Sequence, residues 1–267
     1  MPLLPDAEPA FFRGQSPAVL VLHGFTGQPH SVKPWAEYLH REGGLTVSVP
    51  RLPGHGTTWQ EMNKTTWQDW YAEAQRCLRQ LLADHDEVFV CGLSMGASLT
   101  LRLAQEHGDD IAGIVVVNPA VFTTRPDRFA LPVLRHIVGA FPGITNDIKK
   151  PGGDELGYDK IPLQAAYSMT KLWALVKENL AQVEVPMRVF TSVDDHVVEP
   201  ANSQLVLDRV GSADKEQVML HDSYHVATLD NDADVIFAGT LEFIRSRSGR
   251  TVALPEAGTG EGPLTGR

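Results

Sequence analysis

Residues 87–98 constrain the fold of this chain more than any other stretch. An apolar run, Val88 to Cys91, ends at Gly92, and a helical pattern begins at Met95 and continues to about His107 through Leu99, Leu101, Leu103 and Ala104. Between them, Gly92-Leu93-Ser94-Met95-Gly96 has G-x-S-x-G spacing. A strand that becomes a helix over so few residues turns sharply. A large side chain two positions before or after Ser94 would collide with the backbone, and glycine avoids the collision. Such a turn lifts the Ser94 hydroxyl above the sheet edge at a helix N-terminus, where free N–H groups and the helix dipole favour negative charge. The same five letters can arise by chance in a glycine-rich loop. The strand and helix on either side favour the elbow, and the rest of the chain must then supply a base and a group to orient it.

The remaining periodicity is that of an α/β protein. Ser16 to Leu22 is an apolar run bounded by Pro17 and His23-Gly24, and reads as a buried strand. Trp35 to Arg41 reads as a helix stopped at Gly43-Gly44, Leu45 to Val49 as a strand, Trp67 to Leu82 as a helix and Ile111 to Val117 as a strand. This alternation predicts a largely parallel sheet with helices on both faces, and sites in such sheets form at the carboxyl ends of the strands. From about Val121 to Gln182 the pattern breaks. Prolines and glycines punctuate two helical segments, about Leu131–Ala140 and Leu163–Ala181, with no strand candidate between them. The segment is too long for an ordinary connection and leaves a strand end on the site side, so it reads as a small helical cap. Its apolar residues Phe129, Leu134, Ile137, Phe141, Ile144, Leu172 and Leu175 could face an acyl chain, although for any one of them packing against the body is the simpler role. The alternation resumes with strands Met187–Val193 and Glu216–Leu220 and helices Ala201–Val210 and Asp234–Arg245. The expected division is a core of 1–120 and 183–248, an insertion of 121–182 and an aperiodic, disordered tail of 249–267.

A chain of 267 residues is long enough for one such domain with a sizeable core. Its formal net charge of −10 argues against nucleic acid or an anionic membrane surface as the main partner. No apolar run reaches spanning length, and Met1 to Phe12 lacks the pattern of a signal peptide. Two isolated cysteines, Cys77 and Cys91, make no disulfide framework and point to a reducing, cytoplasmic setting. The histidines are scattered and no phosphate-binding glycine motif is present, so neither a metal nor a nucleotide cofactor is expected. The sequence leaves oligomeric state open.

A serine hydroxyl is a weak nucleophile that needs a base, itself oriented by a carboxylate. In this architecture the acid and then the histidine follow the serine in the chain. The acid candidates are Asp194 and Asp195, just after the Met187–Val193 strand; Val197, Val198 and Pro200 would anchor the turn around Asp195. The base candidates are His221, which abuts the last strand, and His225, inside the loop before the last helix; His225 is the stronger. His23 and His55 read as structural loop residues. Attack on an ester carbonyl creates a negative oxygen, and two backbone N–H groups aimed at it would each lower the barrier by roughly 3 kcal/mol. Met95, directly after the serine, should supply one, and Phe25, in the loop after the first strand, the other. The Phe25 ring would also wall the acyl pocket.

These motifs together resemble the α/β-hydrolase fold and, within it, the bacterial monoacylglycerol lipases and related carboxylesterases. The resemblance rests on His23-Gly24-Phe25-Thr26-Gly27, Gly54-His55-Gly56 with Trp67-Gln68-Asp69-Trp70, Gly92-Leu93-Ser94-Met95-Gly96, Asp195-His196-Val197-Val198 and Ser223 to Asp230. It covers about Phe12 to Arg245. It implies a triad of Ser94, Asp195 and His225, an oxyanion hole of Phe25 and Met95, and a helical cap after the sixth strand. It further implies that Ile144 lines the acyl channel and that Glu155 helps hold a glycerol head group. The implied partner is a small lipid ester, met without stable membrane insertion, and the implied product a free fatty acid. General carboxylesterases, thioesterases and lysophospholipases share the apparatus. Epoxide hydrolases and dehalogenases of this fold need a carboxylate where this chain has Ser94. A non-catalytic ligand-binding protein on the same fold is the alternative of a different class, and an intact Ser94, Asp195 and His225 argue against it.

Overall fold

A computed structural model of the chain describes residues 3–143 and 146–249, with the side chains of residues 127 and 128 excepted. Ile144 and most of the 249–267 tail therefore lie outside the described residues. In chain order the body contains β1 (Ala10–Phe12), β2 (Gln15–Leu22), α1 (Lys33–Gly43), β3 (Leu45–Val49), α2 (Trp59–Met62), α3 (Trp67–Asp84), β4 (Val88–Leu93), α4 (Met95–His107) and β5 (Gly113–Val117). The 121–182 segment follows, with α5 (Leu131–Leu134), β6 (Ala140–Pro142), β7 (Lys160–Pro162) and α6 (Leu163–Glu178). The chain then adds β8 (Met187–Ser192), α7 (Ala201–Arg209), β9 (Lys215–Leu220) and α8 (Ala233–Arg247).

Seven strands form one sheet in the order β1-β3-β2-β4-β5-β8-β9. Every pairing is parallel except that of β1 with β3. The near-continuous apolar runs are explained by burial on both faces. In β2, Leu20 and Leu22 face one side with Val88 and Val90 of β4, packed under α3, α4 and α6. Val19 and Val21 face the other side with Phe89 and Cys91, packed under Trp35 and Leu39 of α1 and Phe243 and Ile244 of α8. Each large side chain buried this way contributes roughly 1.5–3 kcal/mol. α3 begins with a capping box in which Thr66 and Asp69 satisfy each other's backbone N–H groups.

Two expectations for the 121–182 segment need correction. It is not purely helical: β6 and β7 pair antiparallel as a separate two-stranded ribbon, and α5 is four residues long rather than ten. Three-residue strands carry no readable alternation, and Pro142 and Pro162 at their ends read as loop. Counted along this chain the segment follows the fifth strand, β5, and not the sixth, because only β1 precedes β2 among the described residues. Among the described residues no helix is long and apolar enough to cross a membrane.

Candidate active site

Ser94 caps α4 with φ 57° and ψ −115°, a backbone conformation that side-chain-bearing residues rarely adopt. The two glycines around it have no room for a side chain. A Cβ on Gly92 would lie 2.3 Å from the Gly96 carbonyl oxygen, and one on Gly96 would lie 2.2 Å from that of Leu22. The strand, the turn and the helix thus pack backbone against backbone. The Ser94 N–H donates to the Val117 carbonyl at 2.9 Å, which ties the turn to the end of β5.

Three residues far apart in sequence meet at the carboxyl edge of the sheet. His225 Nε2 lies 2.9 Å from Ser94 Oγ, and His225 Nδ1 lies 2.7 Å from Asp195 Oδ2. A carboxylate accepts, so Nδ1 carries the proton and Nε2 is free to accept from the serine hydroxyl. The other Asp195 oxygen accepts the N–H groups of Val197 and Val198 at 2.8 and 2.7 Å, so the carboxylate is fixed by its own turn. Asp194 and His221, the competing candidates, are exposed. Burial disfavours a charged His225, but Asp195, followed by Glu155 and Asp147, outweighs it and holds the imidazole above its ordinary range.

The loop after β2 passes directly over the serine: a Cβ on Gly24 would sit 3.4 Å from Ser94 Cβ. Phe25 follows in that loop and Met95 begins α4, so both expected N–H donors belong to elements flanking Ser94. His23 and His55 lie beneath this loop, fully buried. His23 Nδ1 donates to the Gly24 carbonyl and Nε2 accepts the Leu52 N–H, and burial pulls its pKa down to about 4. Burial likewise lowers that of His55, whose ring packs edge-on against Trp70. Both rings are neutral struts.

A cavity of about 420 Å³ opens on Ser94 and His225. Its wall is mostly apolar. Leu134 and Phe141 contribute to it, and so do Ala166, Met169 and Trp173 on one face of α6. Of the other apolar residues singled out in 121–182, Phe129 and Ile137 face solvent and Leu172 is packed into the body. Glu155 lines the same cavity, close against Gly27, where a Cβ would lie 2.7 Å from Glu155 Oε1. Burial raises the Glu155 pKa to about 7, against the opposing pull of His225.

Three polar residues that organise the site were not identified from sequence. Asn118, at φ 45° beyond β5, donates to the His225 carbonyl at 2.8 Å and accepts the Ser192 N–H at 2.8 Å. Asn118-Pro119 was a readable signal, since asparagine tolerates positive φ. Asp230, almost fully buried, accepts four N–H groups: those of Lys149 and Tyr224 on Oδ2 and those of Lys150 and Asn231 on Oδ1. Asp147, from the 121–182 segment, accepts the His225 N–H.

The parallel sheet, the strained serine turn and the Ser94–His225–Asp195 line together define an α/β-hydrolase. A family described as serine aminopeptidase, S33 matches residues 15–232, and the chain belongs to it. It is 40% identical over 252 residues to a thermostable monoacylglycerol lipase from Bacillus sp. (strain H-257), covering 93% of this chain and 98% of that one. It is 27% identical over 240 residues to a carboxylesterase from Bacillus subtilis (strain 168), covering 89% and 96%. A solved structure of the metagenome-derived lipolytic enzymes LipS and LipT superposes with a TM-score of 0.89 at 41% identity, over 92% of this chain and all of that one.

Proposed function

We propose that the chain is a serine esterase that cleaves monoacylglycerols to glycerol and fatty acid through an acyl-enzyme. Ser94 Oγ attacks the ester carbonyl while His225 Nε2 takes its proton. The oxyanion is held by the N–H groups of Met95 and Phe25. His225 passes the proton to the departing glycerol oxygen, and the ester bond breaks. Water, deprotonated by His225, then attacks the acyl carbonyl, and Ser94 leaves with the proton restored to its oxygen. Asp195 keeps the imidazole in the required tautomer and stabilises its charged form.

The observation that carries this reading is the 2.9 Å and 2.7 Å chain from Ser94 through His225 to Asp195, opening into an apolar cavity. The family description names a peptidase, whereas one relative is named as a monoacylglycerol lipase and the other as a carboxylesterase. An apolar wall beside the serine supports an acyl chain. Glu155 supports a hydroxylated leaving group, since its carboxylate would accept hydrogen bonds from glycerol near His225. Segment 121–182 acts as a cap over this pocket. The buried free thiols of Cys77 and Cys91 support a reducing, cytoplasmic setting.

The test compares a monoacylglycerol with a diacylglycerol and an ethyl ester of the same acyl chain, with Ser94→Ala as control. Preference for the monoacylglycerol, abolished in Ser94→Ala, is expected. Faster turnover of the ethyl ester would move the assignment to a general carboxylesterase. Failure of a fluorophosphonate to label Ser94 would remove the enzyme reading.

A further inference from the structure

The hydrolytic steps above give Asp147 no part, yet its carboxylate touches both loops that carry the base and its orienter. Oδ2 accepts the main-chain N–H of His225 at 3.1 Å and that of His196 at 3.2 Å, and Oδ1 lies 2.8 Å from His196 Nδ1. The Asp147 carbonyl accepts the Val226 N–H at 3.1 Å. His196 is the neighbour of Asp195, so one carboxylate spans the residue that bears the base and the residue beside the acid. From the opposite side, Asn118 Nδ2 holds the His225 carbonyl at 2.8 Å. The His225 main chain is thus gripped through its N–H by the 121–182 segment and through its C=O by the end of β5.

Removing the grip from the segment would leave a buried N–H without this acceptor and free the two loops to separate. The pocket lies between the same pieces: Asp147, Glu155 and Phe141 come from the segment, Ser94 and His225 from the body.

We propose that Asp147 is a positioning residue that fixes the spacing of the Asp195 and His225 loops, so that the base is aligned with Ser94 only while Asp147 holds both. This rests on Ser94 and His225 being nucleophile and base. Asp147 does not touch the reacting atoms; it acts through the His225 backbone and through His196. Three carboxylates face the His225 imidazole, those of Asp195, Glu155 and Asp147. On the other side of His196 lie the Tyr224 ring and Arg125, which donates to the His196 carbonyl.

The experiment measures Asp147→Asn and Asp147→Ala against the wild type on a short-chain nitrophenyl ester across pH, with the rate of fluorophosphonate labelling. We expect kcat to fall roughly tenfold to a hundredfold, as misplacement of a reacting group by about an ångström does. KM should change less than kcat, since the bonds being cut hold His225 and His196 and the apolar wall of the pocket is kept. Labelling should slow in the same proportion. The acid limb of kcat/KM should move to lower pH, because one negative charge facing His225 has gone. Unchanged kcat, or a fall with the acid limb unmoved, would reduce Asp147 to ordinary loop packing. Should neither variant fold, His196→Ala cuts one of the three bonds at an exposed position, and wild-type kinetics there would overturn the proposal. Ser94→Ala runs alongside: activity surviving in it would overturn the assignment of the nucleophile itself, a result that Asp147 variants cannot mimic.

Discussion

The elbow and the 121–182 segment both present groups to one cavity, but they are held there by different physics. Around Ser94 the position is set by exclusion: backbone meets backbone at Gly92 and Gly96, and a single methyl has nowhere to go. Apart from α6, which packs into the core, the segment is held by attraction, through carboxylates and main-chain N–H groups at Asp147, Asp230 and the Lys149–Asp222 pair. It also leaves Phe129, Val133 and Ile137 open to solvent. Exclusion fixes one geometry without regard to pH. Attraction between polar groups is conditional on protonation and on the partner loop being present. The proposed nucleophile is accordingly rigid, and the surroundings of the proposed base are adjustable.

The sharpest test of the rigid half is Ser94→Ala. Ester hydrolysis should fall by about 10⁴-fold or more, with the melting temperature nearly unchanged, because a serine acting with its base contributes on that scale. Asp195→Asn should lose about as much, on the order of 10⁴-fold in kcat, by presenting the wrong imidazole tautomer. Gly96→Ala should be the most damaging change to folding: its Cβ would meet the Leu22 carbonyl at 2.2 Å, and a stability loss of roughly 3 kcal/mol or more is expected in urea unfolding. Gly96→Ala with wild-type stability would erase the contrast drawn above.

The adjustable half should respond to pH. A His225 held above its ordinary pKa loses the neutral base as pH falls, so kcat/KM should decline through a midpoint above about 6.5, the unperturbed histidine value. Glu155, with its pKa near 7, ionises as pH rises through that value. If its carboxylate receives glycerol hydroxyls, the ratio of monoacylglycerol to nitrophenyl ester turnover should climb across the same window. Glu155→Gln should flatten that climb, and equal losses on both substrates would remove the head-group role. The smallest effect belongs to the open face: Val133→Ser, at a side chain 63% exposed, should alter stability by less than about 0.5 kcal/mol.

The parts of the molecule legible in the sequence are those whose physical requirement is local. Sheet strands buried on both faces need unbroken apolar runs, and β3 and α4 fall on the residues that pattern marks out. The elbow needs small residues at fixed offsets, and a G-x-S-x-G between strand and helix expresses that in five letters. Asp195 and His225 were placed by chain order and by their loops. What escaped are polar residues whose meaning depends on a distant partner. Asp147 reaches His225, 78 positions away, and Asp230 reaches Lys149, 81 positions away; neither leaves a periodic trace. The ribbon of β6 and β7 escaped for another reason, since three residues are too few to show alternation.

The single carboxylate of Asp230 has a kinetic consequence. The amides of Lys149, Lys150, Tyr224 and Asn231 share it, so their protection against hydrogen exchange has one common source. They should exchange as one cooperative unit, with deuterium entering residues 149–150 of the 121–182 segment and the 224–231 loop in the same opening event.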